Sequence, residues 1–277
     1  MTEPNAFAHV LMTRFNLPTA GRESQLRDRP GWLAERFSIF ERICLPSVAA
    51  QTCRAFDWII YFDEETPDAF RERIAACQKI FPFHAYFTGL FPASGWPRSI
   101  RETLAPDAPL LLSTRLDNDD AISCDFIERV HASVRADGAR PACHNFRNGF
   151  VVGGGRVYRL AHPANPFMSR LEAWAGSDPH TAMGTHHLEI ARHGPVRQIE
   201  GPAAWVQFVH GGNVSNTLRG RLTDPCELAG RFPAAVAGSV RAPGRLERWL
   251  DRLLLAPARR VRDTLSSLRQ GGLPAPR

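Results

Sequence analysis

The hydrophobic pattern of the first 140 residues predicts strands and helices in alternation. Four short apolar runs are typical of buried strands: residues 8–17, 56–66, 83–89 and 108–120. Four segments with helical spacing or helix-capping residues are predicted as helices: residues 31–51, 66–80, 96–106 and 123–138. Strands that are apolar on both faces are covered on both faces, so we expect a mostly parallel sheet between helices.

Local signals refine these helices. Pro46 should kink or interrupt the first one, because proline cannot donate a backbone hydrogen bond there. Thr66 is the expected N-cap of the second helix, with Pro67 at its first helical position. Ser123 is the expected cap of the last helix and Gly138 its stop.

The second half of the chain has a different pattern. Residues 149–160 are punctuated by glycines and predict a hairpin. Residues 166–176 and 184–194 have helical spacing, and 203–216 read as a strand that runs into a turn. We expect no internal repeat and one α/β domain over residues 1–235.

Residues 236–277 are predicted to form a separate basic, amphipathic helical tail. Its apolar residues include Leu246, Trp249 and Leu253, with arginines between them. One interpretation is a helix packed on the domain or on a partner subunit. The other is an interfacial helix on an anionic membrane, here the inner face of the plasma membrane.

Composition narrows the functional class. The net charge is +6, but Lys79 is the only lysine and many arginines fall near the C-terminus, so we expect no nucleic-acid partner. We find no transmembrane run and no signal-peptide pattern. The six cysteines lack metal-knuckle or redox-pair spacing, which indicates reduced thiols. These features favour a cytoplasmic protein.

Acidic side chains follow two of the predicted strands. Asp117, Asp119 and Asp120 end one strand, and Asp63 ends another. Ligands of open α/β sheets bind beyond the carboxyl ends of the strands. Two unit charges about 5.5 Å apart repel by roughly 3 kcal/mol at an effective dielectric constant of 20, so a cation is expected. Oxygen ligands suit Mg²⁺ or Mn²⁺, which commonly binds a diphosphate too. A solvated loop is the alternative, and Asp120 could be a helix cap.

These segments resemble a known family. The segment SVAAQTCRAFDWIIYFDEETPD resembles the first helix and second strand of A-type glycosyltransferases, and TRLDNDDAISCDFIE resembles their DxD strand and the helix after it. The ordered series TRFN, WLxxRxxxF, CLPS, FDWIIYFDE, TRLDNDDA and WVQFVHGGNVSN resembles the bacterial putative rhamnosyltransferase family over residues 8–218. The resemblance implies a GT-A-like (Rossmann-like) domain. It also implies metal-dependent transfer of a sugar from a nucleoside-diphosphate donor, with dTDP-rhamnose the candidate, to a carbohydrate or glycolipid acceptor with inversion.

The resemblance also implies roles for donor-binding residues. Thr13, Arg14 and Asn16 match the loop that lies against the donor nucleotide. Asp63 matches the acid that hydrogen-bonds the base or the ribose.

At the DxD strand, the resemblance implies that Asp117 and Asp119 belong to the metal site: Asp119 matches the direct metal ligand, while Asp117 matches the acid that reaches the ribose or a metal-bound water. His210 matches a histidine that completes the metal site, and its alternative is a structural role. Arg115 is a candidate diphosphate or ribose contact, and its alternative is a salt bridge to the acid cluster.

The catalytic base is less clearly marked. The family pattern places an acid at the start of a late helix, whereas this chain has His186 and His187 there. Neutral histidine suits general-base chemistry, so we favour His187 over His186, with Asp178 and Glu172 as alternatives. Both histidines could instead cap the helix or bind substrate hydroxyls.

Two other functions stay open. A nucleotidyltransferase or pyrophosphorylase would use similar acids, but it needs a basic glycine-rich loop, and residues 17–29 are a poor version of one. A non-catalytic carbohydrate-binding module is the other. Trp174 and Trp205 are candidates for a sugar subsite or for the core. Asn213 and Asn216 are candidates for a contact with phosphate or with the turn backbone.

Overall fold

The structure is a computed structural model that describes residues 6–18, 27, 29–89, 95–184, 186–210 and 217–269. Its strands are β1 (Phe7–Arg14), β2 (Asp57–Asp63), β3 (His84–Thr88), β4 (Leu110–Arg115), β5 (Ala121–Ile122), β6 (Ala142–Phe146), β7 (Asn148–Gly153), β8 (Arg156–Ala161), β9 (Ser169–Ala173), β10 (Val196–Ile199), β11 (Trp205–Val209) and β12 (Arg221–Leu222).

The α-helices are α1 (Trp32–Ile39), α2 (Leu45–Ala49), α3 (Asp68–Ile80), α4 (Gly95–Thr103), α5 (Phe126–Ala136), α6 (Ala234–Ala237), α7 (Arg245–Leu250) and α8 (Ala256–Arg269). Two π-helical turns, Phe40–Cys44 and Asp251–Leu255, join α1 to α2 and α7 to α8. Two 3₁₀ helices span His187–His193 and Pro225–Leu228.

A seven-stranded sheet forms the centre, in the order β10-β6-β9-β4-β1-β2-β3. Strands β3, β2, β1 and β4 are parallel, and β9 is antiparallel to both of its neighbours, β4 and β6. After β1 the chain builds β2 and β3 on one side and then returns to place β4 on the other. In open α/β sheets, ligands bind beyond the carboxyl ends of the strands at such a reversal, which here lies between β1 and β4. The predicted α/β fold with a mostly parallel sheet is confirmed.

Both faces of the parallel strands are buried, as the apolar runs predict. On β2, Ile60 and Phe62 pack with the α1–α2 helix and α5, whereas Ile59 and Tyr61 pack with Trp96 of α4. This alternation covers the sheet with helices on two sides.

A second sheet has five strands in the order β12-β8-β7-β11-β5, and all of them except β5 come from the chain's second half. The predicted hairpin is present as antiparallel β7 and β8. The predicted strand at 203–216 is β11, which pairs in parallel with β7. The end of that predicted segment, residues 211–216 with Asn213 and Asn216, lies outside the described residues.

Several local predictions were wrong. Residues 166–176 contain strand β9, because pairing with β4 and β6 outweighs the helical spacing. The helix predicted within 184–194, by contrast, is present as a 3₁₀ helix over His187–His193. The helix at 66–80 begins at Asp68, and the Thr66 hydroxyl donates instead to the Asp63 carbonyl at 2.6 Å.

Ser123 and Pro46 also have roles that differ in detail from the predicted cap and kink. Helix α5 has Asp125 at its N-cap position, while Ser123 donates to the Asp125 carboxylate at 2.6 Å. The predicted interruption near Pro46 is a π-helical turn just before it, after which Pro46 sits in the first turn of α2.

The chain after residue 240 forms α7, a π turn and α8 against the second sheet. Asp251 is buried and accepts a hydrogen bond from the Leu222 backbone at 3.0 Å. The division at residue 235 stays a prediction. Among the helices in the described part of the chain, none is both long and apolar enough to cross a bilayer.

Candidate functional site

The candidate site lies where β1, β2, β4 and β11 end. Residues that the chain separates widely meet there because parallel neighbours deliver their carboxyl ends to one edge. Asn118, directly after β4, donates to the Phe15 carbonyl just after β1 at 2.8 Å. This bond ties the acid loop to the loop that follows the first strand.

Asp119 is nearly fully buried and lies between two nitrogen donors. Nη1 of Arg36 is 3.0 Å from Oδ2 of Asp119, and Nε2 of His210 is 3.0 Å from the same oxygen. Arg36 also donates to Oδ1 of Asn118 at 3.1 Å. Helix α1 and strand β11 therefore converge on the second acid of the DxD sequence.

Asp117 is half-buried and is held by the arginine two residues before it. Both Nε and Nη2 of Arg115 donate to Oδ1 of Asp117 at 3.1 Å, and Nη2 reaches Oδ2 at 2.9 Å. Burial acts to raise the pKa of Asp117, but Arg115, with Arg14 and His187 nearby, brings it below its usual value. The salt-bridge alternative for Arg115 is thus present in this structure.

Asp120 does not cap a helix. Its Oδ1 accepts a hydrogen bond from the Phe208 backbone N–H at 2.8 Å, which attaches the acid loop to β11 two residues before His210. Burial first, and then the negative charges of Asp119 and Asp117, raise the pKa of Asp120 well above its usual value. Asp120 therefore positions the strand that carries His210.

Asp63 and Asn16 form the neighbouring part of the site. The Asp63 backbone N–H donates to Oδ1 of Asn16 at 3.1 Å, and Arg27 forms an ion pair with the Asp63 carboxylate. Nδ2 of Asn16 donates to the Thr66 hydroxyl at 3.1 Å. The β1 and β2 ends are thereby locked together.

Thr13 lies below this layer. Its side chain is fully buried, and its hydroxyl accepts a hydrogen bond from Nε1 of Trp58 at 3.0 Å. Arg14, at the end of β1, is half-buried and close enough to Asp117 for its charge to lower the pKa of that carboxyl.

His187 is close enough to Asp117 for the charge of each to shift the pKa of the other. Burial, with Arg115, His186 and His162 nearby, lowers the pKa of His187 to about 3, and Asp117 opposes that shift. Nδ1 of His187 is buried and has no hydrogen-bond partner among the described residues. Buried polar atoms are nearly always paired, so this nitrogen is unusual.

His186 is exposed and caps the 3₁₀ helix that follows it. Its Nδ1 accepts a hydrogen bond from the Leu188 backbone N–H at 3.4 Å, and its ring stacks on that of His187. Asp178 is exposed and pairs with Arg101 at 2.9 Å. Glu172 accepts from the His180 and Thr181 backbones. His187 is thus the candidate base with a charge interaction with the acid loop, while His186, Asp178 and Glu172 have other partners.

Trp205 and Trp174 are core residues. Trp205 is buried, stacks on Phe167 and donates to the Phe146 carbonyl at 2.8 Å. Trp174 is buried and donates to the Pro106 carbonyl at 3.0 Å. Neither indole nitrogen is directed to a sugar subsite.

The side chains of the site could bind a divalent cation only if a bound diphosphate supplied further oxygen ligands. In the described part of the chain, no three His, Cys, Asp or Glu side chains form a metal-binding group. Asp119 and His210 do converge within 3.0 Å, and carboxylate and imidazole are both good ligands for Mn²⁺. Mg²⁺ and Mn²⁺ are commonly bound by one or two side chains plus phosphate oxygens, so these two residues could hold a cation that a diphosphate completes.

Sequence reasoning missed Arg36 and Arg27 as cations of this site. Arg36 is part of the WLxxRxxxF segment, so its place in that series was the one available signal. Its partner Asp119 lies 83 residues away in the chain, and no local pattern predicts such a pairing.

Comparison with known proteins identifies a family. A family model described as putative rhamnosyl transferase matches residues 8–222. Among curated proteins, none matches this chain.

Several solved structures are similar at low identity. Staphylococcus aureus TarS 1–349 in complex with UDP is 11% identical with a TM-score of 0.46, over 73% of this chain and 60% of that one. CMP:2-keto-3-deoxy-manno-octonic acid synthetase complexed with CTP is 13% identical with a TM-score of 0.33, over 72% and 91%. A putative nucleotide-diphospho-sugar transferase from Desulfovibrio desulfuricans G20 is 10% identical with a TM-score of 0.34, over 73% and 80%. The chain thus spans three fifths of the TarS fragment.

Proposed function

Because this chain belongs to the putative rhamnosyl transferase family, a family of glycosyltransferases, we propose that it transfers a sugar from a nucleoside-diphosphate donor. The proposed donor sugar is rhamnose, with dTDP-rhamnose the first candidate, and the acceptor is a carbohydrate or glycolipid in the cytoplasm. The observation that carries the proposal is the convergence of Arg36 and His210 on Asp119 at the switch between β1 and β4.

The donor nucleoside is proposed to lie against Asn16 and Asp63. Their side chains end adjacent parallel strands, at the edge where such sheets bind nucleotides. Arg27, now paired with Asp63, would have to share that carboxylate with the ribose or the base. The diphosphate would lie toward Arg115 and Asp119, where arginine side chains offer paired donors to phosphate.

Asp119 and His210 are proposed to hold Mg²⁺ or Mn²⁺ together with the diphosphate. The cation would supply positive charge for the leaving diphosphate as the bond to the anomeric carbon breaks. Asp117 would hold Arg115 in place, since three of the contacts of that carboxylate come from this guanidinium.

His187 is proposed as the general base. An acceptor hydroxyl would give its proton to the imidazole while its oxygen attacks the anomeric carbon, and the diphosphate would leave with the bonding electrons. One direct displacement inverts the anomeric configuration. One property of this residue supports the role: its Nδ1 has no hydrogen-bond partner among the described residues, so it can accept a proton. Burial lowers the pKa of His187, which keeps the ring neutral at pH 7 but also makes it a weaker base than an exposed histidine.

A thermal-shift panel tests the proposal. Purified protein is heated with UDP, GDP, CDP, dTDP and their sugar derivatives, each with and without Mn²⁺. We expect a dTDP compound with Mn²⁺ to raise the melting temperature, and Asp119→Asn to abolish that shift while Asp137→Asn, a paired surface acid, keeps it. A wild-type protein that binds no nucleoside diphosphate with Mn²⁺ would refute the proposal.

The nucleotidyltransferase alternative is tested by adding nucleoside triphosphates to the panel and by measuring pyrophosphate release. Such an enzyme would bind a nucleoside triphosphate and release pyrophosphate when given a sugar phosphate. Residues 19–26, within the loop where a triphosphate would bind, lie outside the described residues. No observation in the described residues favours this alternative over sugar transfer.

A further inference from the structure

The helical segment from α7 to α8 is oriented against the usual rule. A surface helix normally buries its apolar side and exposes its polar side. Here Glu247 and Asp251, one helical turn apart, face the second sheet. Leu246, Trp249 and Leu253, spaced three and four residues apart, are 69%, 57% and 51% exposed.

Specific polar contacts fix this orientation. Arg156 of β8 forms two hydrogen bonds with the Glu247 carboxylate, at 2.6 and 2.9 Å. Asp251 is 4% exposed and accepts from the Leu222 backbone and from Arg259. Arg259 also stacks over the Tyr158 ring, 4.9 Å from its centre. Rotating the helix to bury its leucines would leave Asp251 and Glu247 without these partners, so the apolar side is held outward.

Arginines border the exposed apolar side. Trp249 follows Arg245 by four residues and precedes Arg252 by three, spacings that make all three neighbours on a helix. Both arginines are exposed. The nearby acids Glu247 and Asp251 are engaged with the domain, so the outward side is apolar with a basic border.

We propose that this surface docks on an anionic lipid bilayer, with Trp249, Leu246 and Leu253 in the headgroup region and Arg245 and Arg252 on lipid phosphates. An exposed apolar stripe bordered by arginines has the features of an interfacial helix. The charge decides between a membrane and a second copy of the chain. A two-fold contact through this face would bring the arginines of both copies together, whereas an anionic lipid surface neutralises them.

The proposal goes beyond sugar transfer and does not depend on it, since its test measures lipid binding alone. Full-length protein is sedimented with vesicles of phosphatidylcholine and with vesicles that also contain phosphatidylglycerol. We expect binding to the second kind only. Trp249→Ser with Leu253→Ser should abolish it, while Ile80→Ser, an equally exposed apolar residue on α3, should leave it unchanged.

The basic border has its own test. Each Arg245 or Arg252 neutralised by Gln should weaken binding about fivefold, and high salt should do the same. Arg140→Gln, an exposed arginine outside this segment, is the control. All these residues are exposed, and unchanged thermal melting verifies that the variants fold.

Three results would overturn the proposal: equal binding to both kinds of vesicle, binding to neither, or loss of a dimer in the Trp249→Ser, Leu253→Ser variant by light scattering. The last result would show that the surface binds a second copy of the chain.

Discussion

Arg36 donates a hydrogen bond to Asp119 across 3.0 Å, so the first helix supplies a positive charge to an acid at the end of the fourth strand. Both side chains are nearly buried, and a buried ion pair that loses one partner is destabilised strongly. The three clustered acids are thus partly neutralised by the chain itself: Asp119 by Arg36, and Asp117 by Arg115.

Replacing Arg36 by Gln tests whether Mn²⁺ can take over the positive charge that Arg36 supplies to Asp119. We expect the free protein to lose about 2–4 kcal/mol of unfolding free energy, because Asp119 is left buried without this partner. Mn²⁺ should then raise the melting temperature more than it does in the wild type. Arg73→Gln, which breaks a more exposed ion pair with Glu41, should cost under about 1 kcal/mol and leave the Mn²⁺ effect unchanged.

The adjacent histidines allow a matched test of the proposed base. His187→Gln should lower kcat for sugar transfer by about 10²-fold or more with little change in donor affinity, because proton transfer is lost. His186→Gln, one residue away and exposed, should keep kcat within a few-fold. Equal losses in both variants would instead indicate a local structural role.

The pH profile gives a second measure of His187. Its lowered pKa, about 3, means that the imidazole is already unprotonated at pH 5 in the free protein. The value of kcat/KM should therefore show no histidine-like fall between pH 7.5 and about 6. A fall centred near pH 6.5 that disappears in His187→Gln would contradict the lowered pKa.

Acid should destabilise the protein through a buried histidine pair. Nδ1 of His9 lies 2.8 Å from Nε2 of His131, and Nε2 of His9 lies 2.8 Å from the Thr114 hydroxyl. Burial lowers the pKa of His131 to about 4 and, with the charge of His131, brings that of His9 well below its usual value.

The lowered pKa values of His9 and His131 determine how stability changes with pH. Between about pH 6.5 and 4 the unfolded chain binds more protons than the folded one, so stability is complete above this window and falls as pH falls through it. Urea unfolding should show a loss of about 2–3 kcal/mol from pH 7 to 4.5 for His131 alone. His131→Gln should reduce that loss, whereas His84→Gln, an exposed histidine, should not.

A glycine beneath the site is fixed by packing. A Cβ on Gly149 would lie 2.0 Å from Cδ2 of Trp205, the first residue of the strand that leads to His210. Gly149→Ala should cost at least about 2 kcal/mol in urea unfolding, because the indole cannot move without losing its bond to Phe146. Gly244→Ala, whose Cβ would meet no neighbour, should cost about 1 kcal/mol or less, the loss expected when alanine replaces glycine at the N-cap of α7.

The hydrophobic pattern of the sequence predicted the elements whose signal lies within the element itself. It missed the strands that form because neighbouring strands pair with them. Strands β1, β2 and β4 are continuous apolar runs, so their burial and parallel arrangement could be inferred, and with them the position of Asp63 and Asp119 at the same edge of the sheet. Strand β9 has helical spacing and becomes a strand because β4 and β6 lie on either side of it. The two-residue strands β5 and β12 are too short for any periodicity.

In the candidate site, too, the positions of the acids could be predicted from the sequence, whereas their partners could not. The acids could be placed at one edge because strand order alone puts them there. The partners of Asp119 and Asp120, namely Arg36, His210 and the Phe208 backbone, come from 83 to 91 residues away. Which side chain meets which carboxylate depends on how α1 and β11 pack, and no local pattern carries that information.

The strand order also has a kinetic consequence. Ala8 pairs with Leu111, about a hundred residues later, and β4 then receives β9 on its other side. Contacts between such distant segments close large loops and form slowly during folding. The acid loop after β4 therefore acquires its partners late in refolding. A nucleotide should bind only in the final phase, so recovery of binding should lag behind recovery of helical signal after dilution from urea.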